Sequence, residues 1–116
     1  MRRPVTRVER PGYTLSVSSD GGTERPQAAR LEVRLPSGRR WRARLHTPES
    51  VRAILDEWSR WGERRGEHSG LYFWAPGVIV VREISREGVV ALVEDLIAEG
   101  ELELAFVPVE EGGSAA

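Results

Sequence analysis

The sequence predicts an α+β fold, in which a two-layer antiparallel sheet of about five or six strands carries two helices on one face. Short segments that alternate apolar and polar residues are typical of strands with one buried face. Two longer segments repeat apolar residues every three or four positions, which indicates helices with a single apolar stripe. A chain of 116 residues with 40% hydrophobic and 30% charged residues is typical of one soluble globular domain.

Two topologies remain open for these elements. From Arg39 onward the predicted order is β-α-β-β-α-β, the ferredoxin-like order, preceded by extra N-terminal strands. In that arrangement the first strand of the unit lies inside the sheet, whereas strand 29–35 is expected to pair with strand 39–45. A simpler meander extended by the helical segments avoids this conflict, and the sequence does not choose between the two.

The predicted domain covers residues 13–109. Residues 1–12 hold two prolines and a glycine among scattered valines and arginines, which predicts a partly flexible N-terminal arm with a short edge strand at 5–8. Residues 13–18 alternate and are expected to form a strand with one polar face. Residues 110–116, EEGGSAA, are expected to form a disordered tail.

The clearest local element is a hairpin over residues 29–46. Apolar residues alternate with charged ones on both sides of Pro36-Ser37-Gly38, and this three-residue loop fits a type I turn followed by a left-handed glycine. With such a loop all apolar residues share one face of the hairpin. Five arginines and one glutamate then share the other face, as the cross-strand pairs Arg34–Arg40, Glu32–Arg42 and Arg30–Arg44.

Capping residues place the two helices. Thr47-Pro48 supplies an N-cap and a proline at the first helical position, and the helix is expected to end near Gly66. Ser85 caps a second helix over residues 86–99, which stops at a glycine. Trp58 and Trp61 lie on the apolar stripe of the first helix, and with the inward-facing Trp41 of the hairpin they are expected to be core residues.

Three further strands are expected in the C-terminal half. Residues 71–74 and 78–82 are apolar on both faces, as interior strands are, and residues 102–106 alternate. The two helices should cover only one face of the sheet. An apolar patch is therefore left at 71–82, to be covered by the N-terminal arm, by a second subunit or by another protein.

The composition excludes several function classes. The chain has no cysteine, so disulfides, iron–sulfur clusters and thiol catalysis are excluded. No apolar run approaches the ~18 residues that span a bilayer, so no membrane partner is expected. The N-terminus shows no apolar signal-peptide region, and a cytoplasmic location is the default expectation.

Charge is divided unevenly along the chain. All 17 basic residues are arginine, and residues 1–65 hold 15 of them against 8 acids, while residues 66–116 hold 2 against 10 acids. A GC-rich genome explains the absence of lysine, so the arginine count by itself is weak evidence for a function. The asymmetry indicates either a nucleic-acid or partner surface, or two halves that neutralise each other within one domain.

No catalytic or metal-binding pattern is found. His46 and His68 lack the spacing of a zinc site, and although Ser69 and His68 could join a glutamate in a triad, no nucleophile elbow supports it. No catalytic residue, metal or cofactor is predicted, and the protein is not expected to be an enzyme.

These observations lead to three functional hypotheses. The first is a small non-enzymatic protein that acts by protein–protein contact, as a homodimer, an adaptor, or an antitoxin- or immunity-like partner. The alternative is a nucleic-acid-binding module that uses the arginine-rich hairpin. The third is a small enzyme or ligand sensor near His46 or His68. The candidate binding surface comprises Arg30, Arg34, Arg40, Arg42, Arg44, Tyr72 and Trp74.

Overall fold

The computed structural model describes residues 5–19, 26–65 and 70–109 of the chain. Over these residues it confirms the α+β fold, with a six-stranded sheet and three helices. The elements in chain order are β1 (Val5–Arg10), β2 (Tyr13–Ser19), β3 (Ala28–Arg34), β4 (Arg40–His46), α1 (Pro48–Arg65), β5 (Val78–Val80), α2 (Arg86–Ala98), α3 (Leu102–Ala105) and β6 (Val107–Pro108).

The sheet is built on an antiparallel meander. Strands β1 to β4 pair in sequence order, each antiparallel to the one before it. Beyond β4 the short strand β5 pairs in parallel with the C-terminal end of β4, and β6 pairs antiparallel with its beginning. The meander alternative therefore describes the first four strands. After β4 the order of described elements is α-β-α-α-β, so the ferredoxin-like order is not confirmed.

Two predicted strands are not strands in the structure. Residues 102–106 form the short helix α3 and the residue after it, because the buried positions are four apart: Leu102 and Phe106 are buried, while Leu104 between them is 84% exposed. The apolar residues at 102, 104 and 106 are compatible both with the two-residue period of a strand and with the four-residue spacing of a helical turn. Residues 71–74 have irregular backbone, and the central side chain of this segment packs beside α1 instead of in the sheet.

The N-terminal strand is longer than predicted. Residues 5–10, expected to hold only a short edge strand within an arm, form the full strand β1, and each of its six residues has a partner on β2. Val8 at its centre is buried in the core. Residues 1–4, the loop 20–25 and the predicted tail at 110–116 lie outside the described residues.

The predicted caps are present at both long helices. At α1 the Thr47 hydroxyl accepts a hydrogen bond from the Ser50 amide at 3.2 Å, and at α2 the Ser85 hydroxyl accepts one from the Gly88 amide at 3.0 Å. Each bond satisfies a donor that the first helical turn leaves without a partner. The helix starts could be predicted because these signals are local.

The core lies on one face of the sheet. Alternate residues of β1 to β4 face α2 and α3, and the described core cluster consists of Val8, Tyr13, Leu15, Ala29, Leu31, Val33, Trp41, Ala43, Leu45, Val89, Val90, Val93, Leu102 and Phe106. The helices that bury residues here are α2 and α3, whereas the sequence predicted α1 and α2. The Tyr13 hydroxyl also donates a hydrogen bond to Glu94 of α2 at 3.0 Å, which links the two layers.

Helix α1 stands apart from this core. None of its described residues belongs to the core cluster, and the described part of its apolar stripe, which includes Trp58, is only half-buried. The side chain of Trp61 lies outside the described residues. Trp41 is a core residue as predicted. In the part of the chain that the structure describes, no helix has the length and apolar character needed to cross a membrane.

Candidate functional site

The face of the sheet opposite the core is polar and rich in arginine. The predicted hairpin register is confirmed, and Gly38 in its loop has a φ of 94°, the left-handed conformation that the turn requires. We call this surface the arginine face. On strands β1 to β4 it consists of Arg7, Glu9, Thr14, Ser16, Ser18, Arg30, Glu32, Arg34, Arg40, Arg42 and Arg44.

The arginine face is organised in three rows that run across the strands. Each row begins with a hydroxyl residue of β2, continues through β3 and ends on β4. We name them by their hydroxyl residues: the Ser18 row (Ser18, Arg30, Arg44), the Ser16 row (Ser16, Glu32, Arg42) and the Thr14 row (Thr14, Arg34, Arg40). On β1, Arg7 extends the Ser16 row and Glu9 extends the Thr14 row.

Acidic side chains neutralise only part of this face. Glu32 lies 3.4 Å from Arg40, measured from carboxylate oxygen to guanidinium nitrogen, and Glu9 lies 3.6 Å from Arg7. Both carboxylates of the face are therefore engaged away from the Ser18 row. Arg40 is half-buried, whereas the other five arginines are exposed.

A groove of about 790 Å³ lies over the Ser18 and Ser16 rows. Its floor is formed by residues of β2, β3 and β4, and its far wall by Pro76, Gly77 and Val107. This wall is attached to β4, because the Arg44 amide donates a 2.8 Å hydrogen bond to the Gly77 carbonyl. A smaller cavity of about 140 Å³ lies at the Thr14 row, next to Arg7 and Glu32. The larger open space is thus at the Ser18 side of the face.

An aromatic segment, residues 71–76, leads into the wall of the groove. The Phe73 ring is anchored edge-on against His46 at 5.4 Å between ring centroids and tilted against Trp58 at 5.6 Å. Its two neighbours point away from this contact: Tyr72 is 51% exposed and Trp74 is 72% exposed. The segment therefore presents two aromatic side chains to solvent and continues along the chain into the groove wall at Pro76 and Gly77.

His46 ends β4 on the same side of the sheet as the arginines, but it is only 5% exposed. Its Nδ1 lies 2.9 Å from the Ser50 hydroxyl, and Phe73 covers its ring. Burial lowers the pKa of His46, and the positive charge of Arg44 lowers it further, so the ring is neutral at pH 7. In the described part of the chain no carboxylate is hydrogen-bonded to His46. A serine and a histidine within hydrogen-bond reach resemble a nucleophile and its base, but this histidine is buried, and no described residue supplies the carboxylate that orients such a base.

The structure adds no support for the predicted loop histidine His68, for its neighbour Ser69 or for a metal site. His68 and Ser69 lie outside the described residues. Within the described residues, no cluster of three or more histidine, aspartate or glutamate side chains could hold a metal ion.

The structure brings together most of the predicted surface and adds to it. The five predicted arginines share one face, as the hairpin register required. Tyr72 and Trp74 are exposed, but on an irregular segment instead of a strand. Sequence reasoning missed Arg7 and the hydroxyl column Thr14, Ser16 and Ser18, because it did not pair β1, β2 and β3. The alternation on both sides of Pro11-Gly12 was the signal for that pairing.

The charge asymmetry of the sequence becomes a separation between layers. The acids of α2, α3 and their flanks are exposed on the helical side of the sheet, at Glu87, Glu94, Asp95, Glu99, Glu101 and Glu103. Arg10 of β1 reaches across to Glu94 at 3.7 Å and joins the two halves of the chain. The arginine face itself points away from this acidic layer, so the layer does not cover it.

Comparisons with protein-family models, with curated proteins and with solved structures find no match to this chain.

Proposed function

We propose that this protein binds single-stranded nucleic acid through the arginine face. One observation carries the proposal: a sheet face with six arginines and two carboxylates lies open on the side away from the core, with five of the arginines exposed. On a face whose role is only to be soluble we would expect both signs of charge, because cross-strand pairs of opposite charge stabilise a sheet. This face instead sets arginine opposite arginine in two of its three rows.

Phosphate groups suit this arrangement. A guanidinium group donates forked hydrogen bonds to phosphate oxygens, and a hydroxyl next to it supplies a further donor. Each row contains both kinds of group, since a serine or threonine of β2 precedes the charged residues of β3 and β4. Strand spacing repeats these donors at intervals of ~5 Å across the sheet, which favours an extended polyanion over a single small ligand.

The exposed aromatic side chains favour a single strand over a duplex. Unpaired bases stack on aromatic rings, and each such contact contributes about 1–3 kcal/mol. Trp74 and Tyr72 are exposed, and the segment that carries them continues directly into the groove wall at Pro76 and Gly77. A strand whose phosphates lie in the groove can therefore place bases against this segment.

Fluorescence anisotropy with labelled oligonucleotides tests the proposal. We expect the wild-type protein to bind single-stranded RNA or DNA more tightly than the matching duplex, and the logarithm of affinity to fall with the logarithm of salt concentration with a slope of about −2 for three phosphate contacts. The triple variant Arg34→Gln/Arg42→Gln/Arg44→Gln should lose about 100-fold in affinity, because charge-assisted hydrogen bonds are lost.

The matched control removes the same charge from elsewhere on the surface. Arg52→Gln/Arg60→Gln/Arg86→Gln takes three exposed arginines from α1 and α2 and leaves the arginine face intact. This variant should bind almost as well as the wild type. No binding by the wild type at low salt, or equal losses in the two triple variants, would contradict the proposal.

Protein–protein contact is a second candidate, favoured by a different observation. Leu71 and Trp74 are largely exposed, as is Val80 on the edge strand β5, and such exposed apolar residues mark interaction surfaces. Light scattering after size exclusion tests self-association. We expect a dimer that is lost in Leu71→Ser/Trp74→Ser but kept in Leu104→Ser, an equally exposed leucine on α3. A wild-type monomer at micromolar concentration would exclude the homodimer.

A further inference from the structure

We propose that the Ser18 row is the phosphate-binding subsite of the arginine face, where Arg30 and Arg44 clamp one phosphodiester group and Ser18 donates a hydroxyl hydrogen bond to it. The inference rests on the proposed function and adds to it a position and a ligand chemistry. The other two rows then guide the strand electrostatically without forming a defined site.

The first argument is the charge balance of the rows. Arg30 and Arg44 are direct cross-strand partners, and the remaining positions of their row are Val5, Ser18 and Val78. Two like charges placed opposite each other destabilise a sheet, and in this row no described side chain offsets them. Neither arginine forms an ion pair with any described residue.

The Thr14 row has the same arginine pair in a different setting. Arg40 of that row interacts with Glu32 at 3.4 Å, and Glu9 lies beside the row on β1. An anion that approached there would meet a carboxylate, and it would have to compete for a guanidinium group that is already engaged. Among the described residues, a carboxylate thus compensates one arginine pair, whereas the pair of the Ser18 row is left for an external anion.

The second argument is space. The groove of about 790 Å³ extends over the Ser18 row and the adjoining Ser16 row and includes Ser18, Arg30 and Arg44 in its lining, whereas the cavity at the Thr14 row measures about 140 Å³. Its wall is held to the floor by the hydrogen bond between the Arg44 amide and the Gly77 carbonyl. A nucleotide unit therefore has room at the Ser18 row, between a floor of donors and the wall that continues into the aromatic segment.

Two matched double variants test the subsite. Arg30→Gln/Arg44→Gln and Arg34→Gln/Arg40→Gln each remove one cross-strand arginine pair from the same face, with the same change in net charge. We expect the first to reduce oligonucleotide affinity at least about tenfold more than the second. In Arg34→Gln/Arg40→Gln the carboxylate of Glu32 also loses its partner Arg40 and can repel the nucleic-acid strand. This additional loss of affinity works against the proposal, so the expected order of the two variants is a stringent test.

A second measurement uses the wild-type protein and a small probe. Inorganic pyrophosphate is titrated while the side-chain Nε–Hε signals of the arginines are followed by NMR. The signals of Arg30 and Arg44 should shift at lower pyrophosphate concentration than those of Arg34 and Arg40. Because no variant is involved, this result does not depend on how well a variant folds.

The outcomes separate the subsite from the function on which it rests. If oligonucleotides bind and the two double variants lose affinity equally, the subsite is wrong and the proposed function stands. If oligonucleotides fail to bind but pyrophosphate shifts Arg30 and Arg44 first, the subsite stands and the proposed function is wrong. If an acidic polypeptide such as polyglutamate displaces an oligonucleotide of equal charge at equal concentration, the face selects charge alone and the phosphate subsite is overturned.

Discussion

The two faces of the meander are made by the same strands and differ in almost every physical property. Leu45 of β4 is fully buried under the helical layer, while its neighbour Arg44 is exposed on the arginine face. One face obtains its stability from burial of apolar area, at ~25 cal/mol per Å². The other face carries like charges that oppose folding. The contrast predicts that the arginine face contributes little to the stability of the fold.

Only one end of the arginine side of the sheet is covered by described residues. There His46 lies beneath Phe73, and Trp58 of α1 packs on the same ring. Helix α1 therefore belongs with the aromatic segment instead of with the core. Four experiments compare the two faces, and each is expected to change stability less than the one before it.

The largest expected effect comes from the core face. Leu45→Ala removes a fully buried side chain and should lower the free energy of unfolding by about 2–5 kcal/mol, because transfer energy is lost and a cavity remains. Arg44→Ala, one position away on the other face, should change it by no more than about 0.5 kcal/mol. Urea unfolding followed by circular dichroism measures both. A loss of comparable size in Arg44→Ala would mean that the arginine face is structural.

The second largest effect on stability is expected at the covered end of the arginine side, where Phe73 lies against His46 and Trp58. A Cβ placed on Gly70 would lie 2.7 Å from the backbone nitrogen of Ser59, and the residue has a φ of 76°. Gly70→Ala should therefore cost about 1–3 kcal/mol locally and release the aromatic segment from α1. Hydrogen exchange should accelerate in α1 and in 71–76 but not in β2 and β3. Gly12→Ala, where a Cβ meets no atom within 4 Å, is the control. Equal acceleration across the sheet would show that α1 supports the core after all.

The parts that could be predicted from the sequence depend on local signals. The hairpin register followed from loop length and alternation, and both long helices begin where their capping residues indicate. These features involve residues close in sequence, of which the most widely separated pair in the hairpin is Ala28 and His46. For this reason the five hairpin arginines of the candidate site could be placed on one face before the structure was known.

The parts that could not be predicted depend on contacts between distant residues. Both α1 and α2 have an apolar stripe, yet among the described side chains only those of the α2 stripe belong to the core cluster. Tertiary packing, not periodicity, decides which helix packs on the sheet. Leu102, Leu104 and Phe106 alternate as a strand would, but burial selected the four-residue spacing. The hydroxyl column of β2 joined the candidate site only through the pairing of β2 with β3.

A smaller effect should follow from the buried histidine at the edge of the arginine face. The fold lowers the pKa of His46 from its ordinary value of 6.5, first through burial and then through Arg44. Below pH 6.5 the unfolded chain therefore binds a proton that the folded protein resists, and the free energy of unfolding must fall as the pH decreases. Urea unfolding between pH 5 and 8 should show this fall in the wild type and a flatter profile in His46→Gln. Identical profiles would show that the site does not resist protonation.

The smallest expected effect is an increase in the free energy of unfolding, and it tests the arginine face most directly against the core face. Removing both charges of the Ser18 row, which no described acidic side chain neutralises, relieves the repulsion between Arg30 and Arg44. Arg30→Gln/Arg44→Gln should therefore raise the free energy of unfolding by a few tenths of a kcal/mol at low salt. The gain should vanish near 1 M salt, where the Debye length is about 3 Å.

The control for this gain is Arg52→Gln/Arg60→Gln on α1. Both arginines are four positions from Asp56 on the same helix face, an arrangement that stabilises a helix, so their removal should lower the free energy of unfolding slightly. A binding face and a merely solvated face differ in this respect. On a binding face the repulsion between like charges is relieved when the ligand binds, whereas on a solvated face the same repulsion only lowers stability. A loss of stability in Arg30→Gln/Arg44→Gln would mean that the two arginines already have a stabilising role within the protein, and the Ser18 row would then be part of the scaffold.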